Sequence, residues 1–92
     1  MSSFKILYSK DSKKFIKANK YTGARFMMVF SELSQDFIST FRKYDIERLK
    51  GGYKDFYRLR IGKYRAVFRV VEDTLVIYVI TIDSRGDVYK KI

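Results

Sequence analysis

Residues 56–71 read FYRLRIGKYRAVFRVV. Aromatic and branched aliphatic residues alternate with arginines on either side of Gly62-Lys63, which predicts strands at 56–61 and 64–71 joined by a two-residue turn. Glycine at the first turn position suits a type II′ hairpin, since that position needs a positive φ. A two-residue loop also fixes the register. Ile61 faces Tyr64, Arg60 faces Arg65, Leu59 faces Ala66, Arg58 faces Val67 and Phe56 faces Arg69. Alternation puts Arg58, Arg60, Arg65 and Arg69 on one side of the sheet. Tyr57, Leu59, Ile61, Tyr64, Ala66, Phe68 and Val70 fall on the other, the expected core face.

Like charges directly opposite each other weaken a hairpin, so Arg60 against Arg65 requires a counter-charge. Acids elsewhere in the chain or an external polyanion would serve. Residues 56–71 contain no acid, and the whole chain has ten acids for twenty bases, a net charge of +10. An external anion is therefore favoured, and guanidinium suits phosphate because its planar fork donates two hydrogen bonds at once. So large a basic excess implies nucleic acid, an anionic surface or an acidic protein as partner.

Downstream of the hairpin, Glu72-Asp73 ends one apolar run and begins another, which predicts a third strand at 74–82. Glu72-Asp73 is weak turn chemistry, and a longer loop is equally compatible. Upstream, Gly51-Gly52 breaks the chain. Phe4–Tyr8 is long enough for a strand and too short for a helix. Ser9 caps an expected helix over Lys10–Asn19, whose lysines, Lys13 and Lys17 among them, form either a second phosphate-binding stripe or a solvated face. Thr22 is a candidate cap for a second helix, in which Phe26, Val29, Phe30 and Leu33 make one apolar stripe. Residues 36–50 fit neither period and read as a helix end plus an ordered connection. The expected fold is α+β: a small antiparallel sheet, made of the N-terminal strand and a three-stranded C-terminal meander, with two N-terminal helices on one face. One domain over residues 1–92 is expected from the length.

Composition narrows the chemistry. The chain has no Cys, which excludes disulfides and thiolate sites, and no His, the commonest general base and metal ligand. Any catalysis must run on Lys, Arg, Tyr, Asp or Glu; no metal and no small-molecule cofactor is expected. No apolar run approaches the roughly 18–20 residues of a membrane span, and a cytoplasmic protein without membrane association is expected. The last stretch, IDSRGDVYKK at 82–91, brings Arg85 and Tyr89. That tyrosine is suited either to stacking on a base or to pinning the tail on the core.

In its motifs the chain resembles the RelE/ParE toxin superfamily of toxin–antitoxin systems. The resemblance is carried by Leu49-Lys50-Gly51, by Tyr57–Phe68 (YRLRIGKYRAVF), by Ile80–Arg85 and by Asp87-Val88-Tyr89, and more loosely by Phe4–Phe15. Its arginine-rich hairpin and terminal Arg and Tyr look more like the RelE-like members than the ParE-like ones. The resemblance implies a RelE-like fold and a ribosome-dependent endoribonuclease that cuts mRNA in the ribosomal A site without a metal. It also implies a small, acidic, helical cognate antitoxin as partner. By position it assigns Arg58, Arg60, Arg65, Arg85 and Tyr89 to catalysis, while Lys54, Lys63, Arg69, Lys13 and Lys17 are candidate RNA contacts. Three positions depart from the family pattern: Arg58 and Arg60 stand where the best-studied RelE sites carry lysines, and Ser84 stands where many members carry His. Arginine is a strong anion clamp and a poor base. The proton-transfer group is then Lys54, Lys63 or Tyr89, or else the catalysis is mainly electrostatic. Two other functions fit the same surface: a ParE-like toxin that inhibits DNA gyrase by binding it, and a nucleic-acid-binding module without chemistry.

Overall fold

A computed structural model describes residues 3–51 and 55–84. The chain begins with β1 (Lys5–Tyr8), followed by α1 (Lys10–Ala18), α2 (Lys20–Gln35) and α3 (Phe37–Lys43). Four further strands follow: β2 (Asp45–Arg48), β3 (Phe56–Ile61), β4 (Tyr64–Val71) and β5 (Val76–Ser84). They form one five-stranded sheet in the order β1-β5-β4-β3-β2.

The hairpin has the expected register at every pair, from Ile61 opposite Tyr64 to Phe56 opposite Arg69. Gly62 has φ +61 and Lys63 is not among the residues with positive φ, the signs of a type II′ turn. The expected core face is also borne out. Leu59, Ala66 and Phe68 are fully buried, Ile61 and Val70 nearly so, and Tyr57 and Tyr64 pack on the same cluster. The α2 stripe of Phe26, Val29, Phe30 and Leu33 lies against it, with Phe30 edge-on to Phe68 at 5.2 Å between ring centroids.

The α+β class holds, but the sheet is mixed and not wholly antiparallel. β1 runs parallel to β5, pairing Lys5 with Val76 through Tyr8 with Val79. The direction in which a terminal strand docks is set by the route of the helices that follow it, which no local pattern encodes. Residues 36–50 form an additional helix and an additional strand. Asp36 caps α3 by accepting from Ser39 N–H at 3.1 Å, and Phe37 and Phe41 reach Tyr57. β2 then alternates Asp45, Ile46, Glu47 and Arg48, with only Ile46 buried. The third meander strand starts at Val76 and not at 74, because the connection is a four-residue loop, 72–75, in which Leu75 takes φ 53.

The helix boundaries reflect one close contact. Ser9 caps α1 as expected, accepting from Ser12 N–H at 3.0 Å. α2 starts at Lys20, ahead of the expected Thr22 cap, since Asn19 both ends α1 and opens α2. The two helices meet at Gly23, where an added Cβ would lie 2.8 Å from the Ile16 Cα. Only glycine permits that approach. Hydroxyls then tie α1 to β5. Ser9 Oγ donates to the Ile80 carbonyl at 2.5 Å and Ser12 Oγ to the Val79 carbonyl at 3.0 Å. No helix among the described residues is long and apolar enough to cross a membrane.

Candidate nucleic-acid interface

The side of the sheet away from the α2 stripe carries the arginines, arranged in rows by strand pairing. β2 pairs Asp45 with Arg60, β3 pairs Arg60 with Arg65, and β4 pairs Arg65 with Asp83. One row therefore reads acid, arginine, arginine, acid across four strands. The next reads Glu47, Arg58, Val67, Thr81. A β-bulge in β5 creates this arrangement. Val67 pairs with Thr81 but Phe68 pairs with Val79, so Ile80 is the extra residue and the parity of β5 reverses there. Ile82 thereby enters the core and Asp83 comes alongside Arg65.

β2 and β5 thus bring acids alongside the arginines of 56–71, and the external counter-charge favoured from the sequence is corrected for Arg58, whose partners are internal. Arg58 shows this most directly. Its Nη2 donates to Asp45 Oδ1 at 3.0 Å and to Glu47 Oε2 at 2.7 Å, and its side chain is only 9% exposed. Such charge-assisted bonds offset the cost of desolvating a guanidinium. Asp45 and Glu47 have one signal in the sequence. Two acids at i and i+2 on a short alternating stretch match two arginines at i and i+2 on the next strand.

Arg60 and Arg65 remain as the directly opposed pair. Arg60 is exposed and its Nε donates to the Gly62 carbonyl at 3.2 Å, while Arg65 is half-buried. Neither forms an ion pair with a described residue. Arg69 lies four residues along β4 from Arg65, about 13 Å at the usual strand rise. Its guanidinium sits over the Phe56 ring at 5.9 Å. Lys63 occupies the exposed hairpin turn with Nζ 5.5 Å from the centre of the Tyr64 ring. Lys13 and Lys17 are exposed on α1. It is Lys14, not singled out by the sequence, that shares a shallow cleft with Ile82 and Asp83 at the end of the arginine row. Lys54, Arg85 and Tyr89 lie outside the described residues.

Titration is perturbed away from this face. Burial pushes the Tyr8 phenol up to about 12. At the far end of α2, Tyr44 and Lys43 both donate to Glu32, at 2.6 and 3.1 Å. Those two hydrogen bonds hold the Glu32 carboxyl below its ordinary value, and they raise both donors.

An α+β fold with an arginine-bearing sheet face on the side opposite the α2 stripe defines the class. The sequence description of the "ParE toxin of type II toxin-antitoxin system, parDE" family matches residues 6–89, and the chain belongs to this family. A curated relative from Methanocaldococcus jannaschii, described as a candidate RelE1 toxin, is 44% identical over 48 residues, 52% of each chain. The match thus spans about half the length of that relative. Among solved structures, a chain of the archaeal RelE–RelB complex from Pyrococcus horikoshii superposes with a TM-score of 0.76 at 25% identity, covering 92% of this chain and 98% of that one. The RelB–RelE antitoxin–toxin complex from Methanococcus jannaschii gives 0.67 at 28% identity, covering 91% and 95%. A free E. coli RelE toxin carrying two arginine-to-alanine substitutions, 18% identical with a TM-score of 0.72 over 99% and 94%, shares the fold. The RelE-like α+β fold expected from the sequence is therefore the fold of this chain.

Proposed function

We propose that this protein is the RNA-cleaving toxin of a toxin–antitoxin pair, a metal-independent endoribonuclease acting on mRNA in the ribosomal A site. The observation that carries this reading is the cross-strand pairing of Arg60 with Arg65 on the sheet face opposite the α2 stripe, two arginines with no ion-pair partner among the described residues. In this reading the RNA 2′-OH attacks the adjacent phosphorus. The O2′–P bond forms, the P–O5′ bond breaks, the 2′ proton leaves to a base, and the departing O5′ gains a proton. The dianionic phosphorane between these steps is what the two guanidiniums oppose, as preorganised donors aimed at developing charge. Resemblance assigns Arg85 to the same charge and Tyr89 to the leaving group or to base stacking.

Addition of the protein to a translating extract should cleave message at codons within the ribosome, with EDTA present or absent. Arg60→Ala and Arg65→Ala should each abolish cleavage while leaving the fold intact. Intact message alongside full translation would refute the reading. The matched family is that of the ParE toxin, which keeps the ParE-like alternative, inhibition of DNA gyrase by protein binding, as the second reading. It predicts loss of supercoiling with message intact.

The partner in either case is a small acidic antitoxin with amphipathic helical segments. A notch between α3 and β3 suits such a segment. Phe37, Ile38, Phe41 and Tyr57 line it, and Arg42 and Arg48 flank it.

A further inference from the structure

Three arginines project from the two polar rows of the sheet, and they are not equivalent. Arg58 is held by two carboxylates from β2 through a single nitrogen, Nη2, at 3.0 and 2.7 Å. The guanidinium is buried while its partners face water, Asp45 at 53% and Glu47 at 72% side-chain exposure. An approaching phosphate meets the two carboxylates before it meets the arginine, and like charge opposes that approach. The acids are held in place by the backbone. They flank Ile46, which is 6% exposed and locked in the core, so the register of β2 keeps both carboxylates on the arginine side.

Asp45 is the cross-strand neighbour of Arg60, yet it bonds diagonally to Arg58. Arg60 is thereby left to turn toward the hairpin, where its Nε meets the Gly62 carbonyl, next to Arg65.

We propose that Asp45 and Glu47 are a built-in anion that occupies Arg58. Arg58 is then a positioning residue and not a phosphate ligand, and Arg60 with Arg65 forms the gripping pair. This rests on the nucleic-acid reading above and narrows it. At the position where the resemblance places a catalytic residue, this chain carries a neutralised strut. The strut stiffens the β2–β3 edge and sets the orientation of Arg60. It also limits the number of phosphates the face can hold at once.

Counting phosphate contacts tests this directly. Affinity for a short single-stranded RNA oligonucleotide falls with salt, and each phosphate contact contributes about 0.7 to the slope of log K against log salt concentration. Arg65→Gln should lower the slope by about 0.7 and Arg58→Gln should leave it unchanged. Asp45→Asn with Glu47→Gln should raise it by about 0.7, because Arg58 is released, and adding Arg58→Gln should return it to the wild-type value. A fall in Arg58→Gln equal to that in Arg65→Gln overturns the proposal. So does a raised slope that persists in the triple variant, since the acids would then act through their field alone. Thermal unfolding of each variant checks the fold. Should Arg58→Gln not fold, Arg58→Lys, which keeps both ion pairs, should show the wild-type slope, and a lowered one counts against the proposal.

A second arm does not depend on RNA. Phenylglyoxal mapping by mass spectrometry should modify Arg60 and Arg65 and spare Arg58. In the Asp45→Asn, Glu47→Gln protein, Arg58 should become reactive. Equal modification of Arg58 and Arg65 in the wild type refutes the assignment. Absence of any salt-dependent RNA binding by the wild type would count against the proposed function instead, and the mapping would still decide the role of Arg58.

Discussion

Gly23→Ala is the substitution whose outcome depends most sharply on the packing of α1. Replacing a helix-interior glycine by alanine ordinarily stabilises by about 1 kcal/mol, through helix propensity. Here the new methyl would lie 2.8 Å from the Ile16 Cα, 3.0 Å from its Cγ2 and 3.1 Å from its carbonyl oxygen. Two of those three atoms belong to the backbone of α1 and cannot rotate away. Restoring ordinary carbon–carbon contact at about 3.5–4.0 Å requires α1 to shift by roughly 1 Å. Overpacking of this kind costs about 1–3 kcal/mol, which exceeds the propensity gain over most of its range. The expected net effect is a destabilisation of about 0–2 kcal/mol.

The displacement has functional reach, because α1 is anchored to β5 through Ser9 and Ser12 and carries Lys13, Lys14 and Lys17. Urea unfolding of the free protein should show a lower midpoint with an unchanged m value. Gly23→Val should be worse, since it adds bulk at the same contact and loses propensity. A Gly23→Ala protein more stable than wild type by about 1 kcal/mol would show that propensity wins, and that the helices do not meet as closely as described.

Ser9→Ala removes the α1 cap and the hydroxyl bond to the Ile80 carbonyl together, and should cost about 1–3 kcal/mol in urea unfolding. A change below about 0.5 kcal/mol would mean that water replaces both bonds. Tyr8 provides an alkaline signature. Its phenol is neutral in the fold up to about pH 12 against an ordinary value of 10.0. A raised folded pKa means that its contribution is complete below pH 10 and is lost as pH rises through 12. Tyr8→Phe should flatten the stability–pH curve across that interval; an unchanged alkaline decline would trace it to other groups.

How much of this protein is legible in its sequence can be judged strand by strand. The hairpin was fully determined locally. A glycine at the first turn position fixes loop length, loop length fixes register, and register fixes which side chains share a face. The α2 core stripe was equally plain, because its period is that of the helix itself. The family resemblance, too, was visible in the sequence before any geometry, and the match over residues 6–89 bears it out.

What the chain alone did not reveal is how the arginines are balanced. Counting acids within 56–71 left the cluster bare, whereas strand order delivers Asp45 and Glu47 from one side and Asp83 from the other. β2 was hidden because four alternating residues are too short a period to stand out beside a helix end. Asp83 was hidden because one extra residue, Ile80, reverses the parity of β5, and a bulge depends on how the partner strand fits. Sequence set the character of each side chain and its face within a hairpin. Only the assembled sheet decided which charges became neighbours, because that depends on pairing between strands far apart in the chain.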